Sequence, residues 1–149
     1  MKKLFKFSFF LCILFLSFLI FFFVFKPSQA PVEASVSLGD TTIGVEVVKT
    51  FGERALGLSG RENLKGGMWF VFPEADYYSF WMKDMKFPID IIWVSDDFEI
   101  VDIKENVSPD SFPKAFRPRA KASFVLEVSA GFVKTYQVNI GDKVSFMDR

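Results

Sequence analysis

The chain has 149 residues with 18 basic and 18 acidic side chains, a single cysteine at position 12 and no histidine. These absences exclude catalysis by Ser-His or Cys-His pairs, disulfides within the rest of the chain, and zinc sites built on imidazole or thiolate ligands. Acid–base chemistry would fall to Asp, Glu, Lys or Tyr. Acidic stretches such as Asp96-Asp97 lack the alternating oxygen ligands of a calcium loop, so we expect neither a metal nor a cofactor.

The N-terminus carries an uncharged apolar run, residues 7–25. At about 1.5 Å per residue this run would form a helix of roughly 28 Å, close to the roughly 30 Å thickness of a bilayer core. Lys2, Lys3 and Lys6 precede the run, and only Lys26 follows it closely. This asymmetry predicts a cytoplasmic N-terminus and a C-terminal part outside the cytoplasm.

Residues 1–26 fit either a permanent signal anchor or a cleaved signal peptide. The length of the apolar run and its many phenylalanines favour an anchor. Residues 28–30 have the small-x-small form of a cleavage site, although Pro31 would follow the cut, and residues 32–34 are a second candidate site. We therefore expect a single-pass protein of the cell membrane with an extracytoplasmic C-terminal domain, or an exported protein if the segment is cleaved.

Residues 27–34 contain two prolines and are interpreted as an extended linker. The remainder, residues 35–149, has the length of one domain. Without the four lysines that flank the apolar run, the chain has 14 basic and 18 acidic residues, a net charge of −4. That balance argues against a nucleic-acid partner, because binding a phosphate backbone requires clustered positive charge.

Strand-like segments dominate this domain. They cover residues 35–38, 41–49, 68–72, 78–83, 90–94, 98–103, 123–128 and 143–146. Gly39-Asp40 predicts a hairpin between the first two strands, and residues 73–76 predict a turn between the next two. Residues 105–119 contain three prolines and predict a long loop.

Two short helices are also expected. Thr50 and Glu53 have the spacing of a capping box, which predicts a helix over residues 51–58. Ser129 is the expected cap of a second helix over residues 131–136. The pattern favours an α+β, mostly β fold: a compact single domain of antiparallel strands, with a barrel-like arrangement as a variant.

Several stretches of this domain resemble the domain-of-unknown-function 192 (DUF192) family. The stretches are Gly66–Phe72, Phe80–Ile91 (the most specific), Arg54–Arg61, Val125–Gly131 and Ile140–Val144. The chain departs from the family pattern at Asp84-Met85, where Asn-Thr is usual, and at Ser59, where Met is usual. The resemblance covers roughly residues 36–146 and implies a domain that is often exported and has no established activity.

The polar members of these stretches stand among large apolar residues. They are the candidate site residues Arg54, Arg61, Lys83, Asp90 and Glu127, together with the aromatic Trp81. One interpretation is structural, with Asp90 or Glu127 paired to Arg54, Arg61 or Lys83. Another is a concave site in which Trp81 stacks on a ligand that the charges orient. The third is a catalytic carboxylate pair, Asp90 with Glu127.

These alternatives give three hypotheses about function. The first is a membrane-tethered, extracytoplasmic binding or accessory module, for a small polar or sugar-like molecule or for an envelope protein. The second is a hydrolase-type enzyme that uses Asp90 and Glu127. The third is a structural protein-interaction domain, which a flat apolar surface with fully paired charges would favour. In each case the membrane is a partner through the N-terminal helix.

Overall fold

A seven-stranded sheet, curled into a half-barrel, organises the residues that the structure describes, 34–148. The structure is a computed structural model. Two short helices and a separate two-stranded ladder complete a single, mostly β domain, as the sequence predicts. The predicted anchor, residues 1–26, and residues 27–33 of the predicted linker lie outside the described range. Within residues 34–148, no helix has the length and apolar character needed to cross a bilayer.

The described residues contain nine strands, two α-helices and a 3₁₀ helix at Pro109–Ser111. The strands are β1 (Ala34–Leu38), β2 (Thr41–Val48), β3 (Gly67–Asp76), β4 (Phe80–Trp81), β5 (Ile89–Val94), β6 (Ile100–Val107), β7 (Ala115–Phe116), β8 (Ala122–Ser129) and β9 (Val144–Met147). The helices are α1 (Phe51–Leu56) and α2 (Phe132–Tyr136). Every predicted strand has a counterpart, and β1 begins one residue inside the predicted linker.

The strand order in the main sheet is β6-β5-β8-β3-β2-β1-β9, and β4 pairs with β7 outside it. All neighbouring pairs are antiparallel except β2 and β3. These two run parallel because the chain crosses back through α1 between them. Among the described strands, this pair is the exception to the predicted antiparallel arrangement.

Local signals in the sequence account for some boundaries and fail at others. The capping box of α1 is confirmed, since the Thr50 hydroxyl accepts from the Glu53 amide and the Glu53 carboxylate accepts from the Thr50 amide. The turn predicted at residues 73–76 is wrong, because β3 continues to Asp76 with an irregularity against β8. The predicted loop 105–119 is also too long, since β6 extends to Val107 and β7 lies within the loop.

Side chains alternate across the sheet, so each face carries its own apolar core. The α2 face packs against α2 and β9; its buried residues include Val36, Trp69, Ile92, Leu126, Val128 and Val133. The α1 face packs against the turn after α1 and the β4–β7 ladder; its buried residues include Met68, Phe70, Ile91, Trp93, Val125 and Leu58. The central strands β5 and β8 are buried on both faces, which explains their nearly continuous apolar sequence.

Candidate functional site

A pocket of about 280 Å³ opens on the α1 face. One wall is α1 with its following turn, and the other is formed by aromatic residues of β3, β4 and the segment between them. The pocket is lined by Phe51, Arg54, Ala55, Leu56, Gly57, Leu58, Ser59, Phe70, Phe72, Tyr78, Ser79, Phe80, Trp81 and Glu127. Its volume lies just below the range of about 300 to 1,000 Å³ that is usual for small-molecule sites, so it suits a small ligand.

Glu127 brings a carboxyl group to this pocket from the central strand β8. Only 5% of the residue is exposed. Among the hydrogen bonds and ion pairs of residues 34–148, none involves its carboxyl group, and burial raises the pKa of Glu127 to about 8. A buried carboxyl without a partner is costly in its charged form, so at neutral pH this group is mostly protonated.

Arg61 lies near Glu127 but is engaged elsewhere. Its guanidinium donates two hydrogen bonds to the Glu46 carboxylate, at 2.6 Å and 2.8 Å. Glu46 and Glu127 both lie opposite Met68 in neighbouring strands, so the two carboxyl groups share the α1 face. The hydrogen bond from Arg61 lowers the pKa of Glu46, whereas the charge of Arg61 only partly offsets the effect of burial on the pKa of Glu127.

Arg54 forms part of the pocket wall and joins α1 to β3. Its Nη1 atom donates to the carbonyl oxygens of Lys49 and Val71, the latter at 3.0 Å. Its guanidinium carbon lies 5.0 Å from the centre of the Phe72 ring. These contacts hold the guanidinium against an aromatic face, so Arg54 both supports the wall and gives it a positive charge.

The opposite wall is a set of interlocking aromatic rings. Phe72 and Tyr78 are stacked at 3.5 Å between centroids, and Phe80 makes an edge contact with Phe70 at 4.9 Å. Trp81 is 55% exposed at the mouth of the pocket, with Phe112 at 5.9 Å as its aromatic neighbour. An aromatic side chain that is more than half exposed at the mouth of a pocket is suited to contacting a ligand.

Asp90 lies on the α2 face, away from the pocket, and is completely buried. Its Oδ1 accepts from the Asn106 amide at 2.7 Å, at a bulge where residues 105 and 106 of β6 oppose Asp90 alone. Its Oδ2 accepts from the Val133 amide at 2.9 Å in the first turn of α2. The predicted pairing of Asp90 with Arg54, Arg61 or Lys83 is therefore wrong, because backbone amides take the place of the cation.

The same contact corrects the prediction for the start of α2. Ser129 belongs to β8, and the N-cap residue of α2 is Gly131, which offers no side-chain hydrogen bond. The carboxylate of Asp90 supplies the acceptor from another strand instead. Asp90 thus fixes the bulge of β6 and the start of α2 at once, which is a structural role.

Five of the six candidate residues lie in or near the pocket, and Asp90 lies on the opposite face of the sheet. Arg54, Trp81 and Glu127 line the pocket, and Arg61 stands beside it without lining it. Lys83 is exposed, and its contribution near the pocket is its backbone carbonyl, which accepts from the Ser59 hydroxyl at 2.9 Å.

Asp90 and Glu127 project from opposite faces, since Asp90 pairs with Val128 and Glu127 with Ile91. The carboxylate pair of the hydrolase hypothesis therefore does not form, because its two members would have to converge on one cleft.

Two departures from the family pattern fall close to the pocket. Asp84 has a positive φ of 55°, a conformation that Asn and Asp both tolerate, so the exchange preserves this turn. Ser59 lines the pocket, and its short side chain leaves more space there than the usual Met would.

Two carboxylates that pair with arginines in the folded domain, Glu46 and Asp102, were not predicted from the sequence. Glu46 looks like a solvent-facing residue of β2, and nothing in its local pattern indicates the bond to Arg61. Asp102 is fully buried and binds the side chain and amide of Arg119, which ties down the segment before β8. Burial opposes ionisation of Asp102, but the hydrogen bonds from Arg119 and from the Ile103 amide hold its pKa below the usual value.

Fold and pocket together define a small, mostly β domain with an aromatic pocket that ends on a buried carboxyl group. The chain belongs to the DUF192 family, described as Uncharacterized ACR, which it matches over residues 34–146. It is 27% identical over 107 residues to the UPF0127 protein TK1120 of Thermococcus kodakarensis, a match that covers 68% of this chain and 64% of that relative.

Two solved structures have the same fold. A protein of Sinorhizobium meliloti 1021, described as a proposed transcription regulator, superposes with a TM-score of 0.70 at 29% identity, covering 76% of this chain and 91% of that one. A protein of unknown function from Novosphingobium aromaticivorans DSM 12444 superposes with a TM-score of 0.70 at 28% identity, covering 80% and 89%. These likenesses establish family and fold, and they assign no reaction to this chain.

Proposed function

We propose that this chain is a small-molecule binding module, held at the outer face of the cell membrane by its N-terminal segment. The observation that carries the proposal is the Glu127 carboxyl at the buried end of an aromatic pocket. A shaped, mainly apolar cavity with a few polar groups is the usual form of a ligand site. A strongly raised pKa inside such a cavity is a further indicator of function.

The cost of burying Glu127 supports this role. A buried polar group without a hydrogen-bond partner lowers stability, and an apolar side chain of similar size would remove that cost. The neighbouring strands already supply apolar contacts on both sides, from Met68 and Ile91. Packing therefore does not explain why a carboxyl group stands at this position, whereas a ligand that binds to the carboxyl would explain it.

Binding fits the pocket better than the two other hypotheses. The hydrolase hypothesis needs a second carboxylate, and Asp90 lies on the other face of the sheet. The purely structural hypothesis needs a flat apolar surface, whereas the exposed Phe51, Leu56 and Trp81 border a concave site. We therefore favour a small molecule over an envelope protein as the ligand, because a protein surface would leave Glu127 out of reach.

The membrane location rests on the N-terminal sequence alone. The apolar run 7–25 and the three lysines before it predict a cytoplasmic N-terminus. A reporter fused after Arg149 should be active only outside the cytoplasm, and the protein should fractionate with membranes. Recovery in the soluble cytoplasmic fraction would contradict this part of the proposal.

Ligand screening with the full chain in detergent tests the binding proposal. Trp69 and Trp93 are buried and Trp81 is 55% exposed at the pocket mouth, so changes in tryptophan fluorescence on ligand addition should come from Trp81. Compounds that bind should change this fluorescence in the wild type, and their affinity should fall in Glu127→Gln and Trp81→Ala.

The matched control is Glu99→Gln, which removes a carboxylate that pairs with Lys143 outside the pocket lining. It should bind every compound as the wild type does. The proposal is wrong if no compound in a broad fragment collection binds, or if the compounds that bind do so equally well in Glu127→Gln and Trp81→Ala.

A further inference from the structure

We infer that the pocket takes a primary amine, with its ammonium group at the Glu127 carboxylate and a small apolar body against the aromatic wall. This inference rests on the proposed binding function and names the chemical class of its ligand. It starts from the buried Glu127 carboxyl, which would need a cation beside it to ionise and which forms no ion pair within residues 34–148. Arg61, the neighbouring cation, already donates to both oxygens of Glu46, so a cation for Glu127 would have to come from the ligand.

The wall of the pocket favours the same chemistry. Phe72, Tyr78 and Phe80 line the same pocket as Glu127, and their rings offer an apolar wall for the body of such a ligand. An anionic ligand group at the buried end would be repelled by the ionised form of Glu127 and would pair only with the protonated form, so its binding would release no proton. A primary ammonium offers three N–H donors for the two carboxylate oxygens, whereas a quaternary ammonium offers none.

The size and charge of the pocket limit the ligand further. A volume of about 280 Å³ admits one small body rather than a chain of several units. Arg54 places a positive charge on the pocket wall. A second cationic group on the ligand would be repelled there, so a monoamine fits better than a polyamine.

Binding would be coupled to the loss of one proton. At pH 7 the Glu127 carboxyl is mostly protonated, since its pKa is about 8. When the ammonium binds, the carboxyl O–H bond breaks, the proton passes to the buffer and the carboxylate pairs with the ammonium. The ammonium keeps its own protons, so one proton is released for each ligand bound.

Calorimetry with a matched pair of probes, cyclohexylamine and cyclohexanol, tests this inference. The full chain in detergent is titrated at pH 7 in two buffers of different ionisation enthalpy, neither of which is a primary amine. Cyclohexylamine should bind more tightly than cyclohexanol and release close to one proton. Its affinity should rise about tenfold from pH 7 to pH 9, because the ionised fraction of Glu127 rises about tenfold.

Glu127→Gln should lose the proton release, the pH dependence and at least tenfold in cyclohexylamine affinity, while Glu99→Gln should keep all three. The pH profile of the wild type tests the inference even without a variant. Binding of cyclohexanol with weaker or absent binding of cyclohexylamine would overturn the inference and leave the binding function standing. Failure of both probes to bind, or binding of cyclohexylamine without proton release, would also overturn the inference. Binding of unrelated compounds in the pocket would in that case still support the proposed small-molecule binding function.

Discussion

Replacing Glu127 with Gln should make the protein more stable at neutral and alkaline pH. The change keeps the size of the side chain and removes its ability to ionise. The folded state raises the pKa of Glu127 from 4.5 to about 8, because burial disfavours the charged form. A raised pKa gives a contribution to stability that is fully present below about pH 4.5 and is lost as the pH rises through about 8.

The size of the effect follows from the shift. Each pH unit between the unfolded and folded pKa values corresponds to about 1.4 kcal/mol. At pH 7 the wild type should therefore have lost about 3 kcal/mol of unfolding free energy relative to acidic conditions, and above pH 8 roughly 4 to 5 kcal/mol. Glu127→Gln has no ionisable group at this position, so its unfolding free energy does not fall in this way. The difference in unfolding free energy between the variant and the wild type should therefore grow with pH.

Urea unfolding at pH 5, 7 and 9 measures this difference. Glu127→Gln and the wild type should be similar at pH 5, and the variant should be more stable at pH 7 and still more at pH 9. The control Glu99→Gln removes a partly exposed pair with Lys143, which is worth at most about 1 kcal/mol, and should not show this trend. A variant less stable than the wild type at pH 7 to 9 would contradict this prediction and show that Glu127 is ionised and paired.

Three further predictions concern the charges around the sheet. Arg61→Gln should raise the pKa of Glu127 further, because it removes the charge that opposes the effect of burial; carbon NMR of the Glu127 carboxyl measures this, and an unchanged or lower pKa would contradict it. Asp90→Asn should lower the unfolding free energy by about 3 kcal/mol, since Asn cannot accept from both backbone amides; denaturant unfolding close to that of the wild type would show that these bonds are dispensable. The pKa of Asp102 is lowered in the folded state, so its contribution is present above pH 3.8 and lost as the pH falls through the folded pKa; Arg119→Ala should therefore make acid unfolding begin at a higher pH, and an unchanged acid transition would count against it.

Local signals in the sequence predicted much of the fold. The Thr50 capping box sets the start of α1, and the Gly39-Asp40 turn joins β1 to β2 in an antiparallel hairpin. The parallel pairing of β2 with β3 was not predictable in this way, because it depends on how the chain returns after α1. The continuation of β3 through Pro73 was not predictable from local signals either, because it depends on pairing with β8, which resumes at Asp76.

The candidate site was predictable in its composition but not in its arrangement. Glu127 stands in the apolar sequence Val125–Val128, which indicates a buried carboxyl, yet the face of the sheet it occupies depends on the register with β3 and β5. Asp90 looked similar in the sequence and lies on the opposite face. Its partners, the amides of Asn106 and Val133, are 16 and 43 residues away, and such contacts leave no local pattern.

Mapping a bound ligand by amide NMR shifts tests the central claim, that the pocket on the α1 face binds a small molecule, most directly. The probe is the amine or fragment that most strongly changes Trp81 fluorescence. If the pocket binds the probe, the shifted amides should cluster at residues 51–59, at Phe80 and Trp81, and around Glu127, and the cluster should vanish in Glu127→Gln. Shifts centred on α2 and β9, or scattered evenly over the domain, would contradict it.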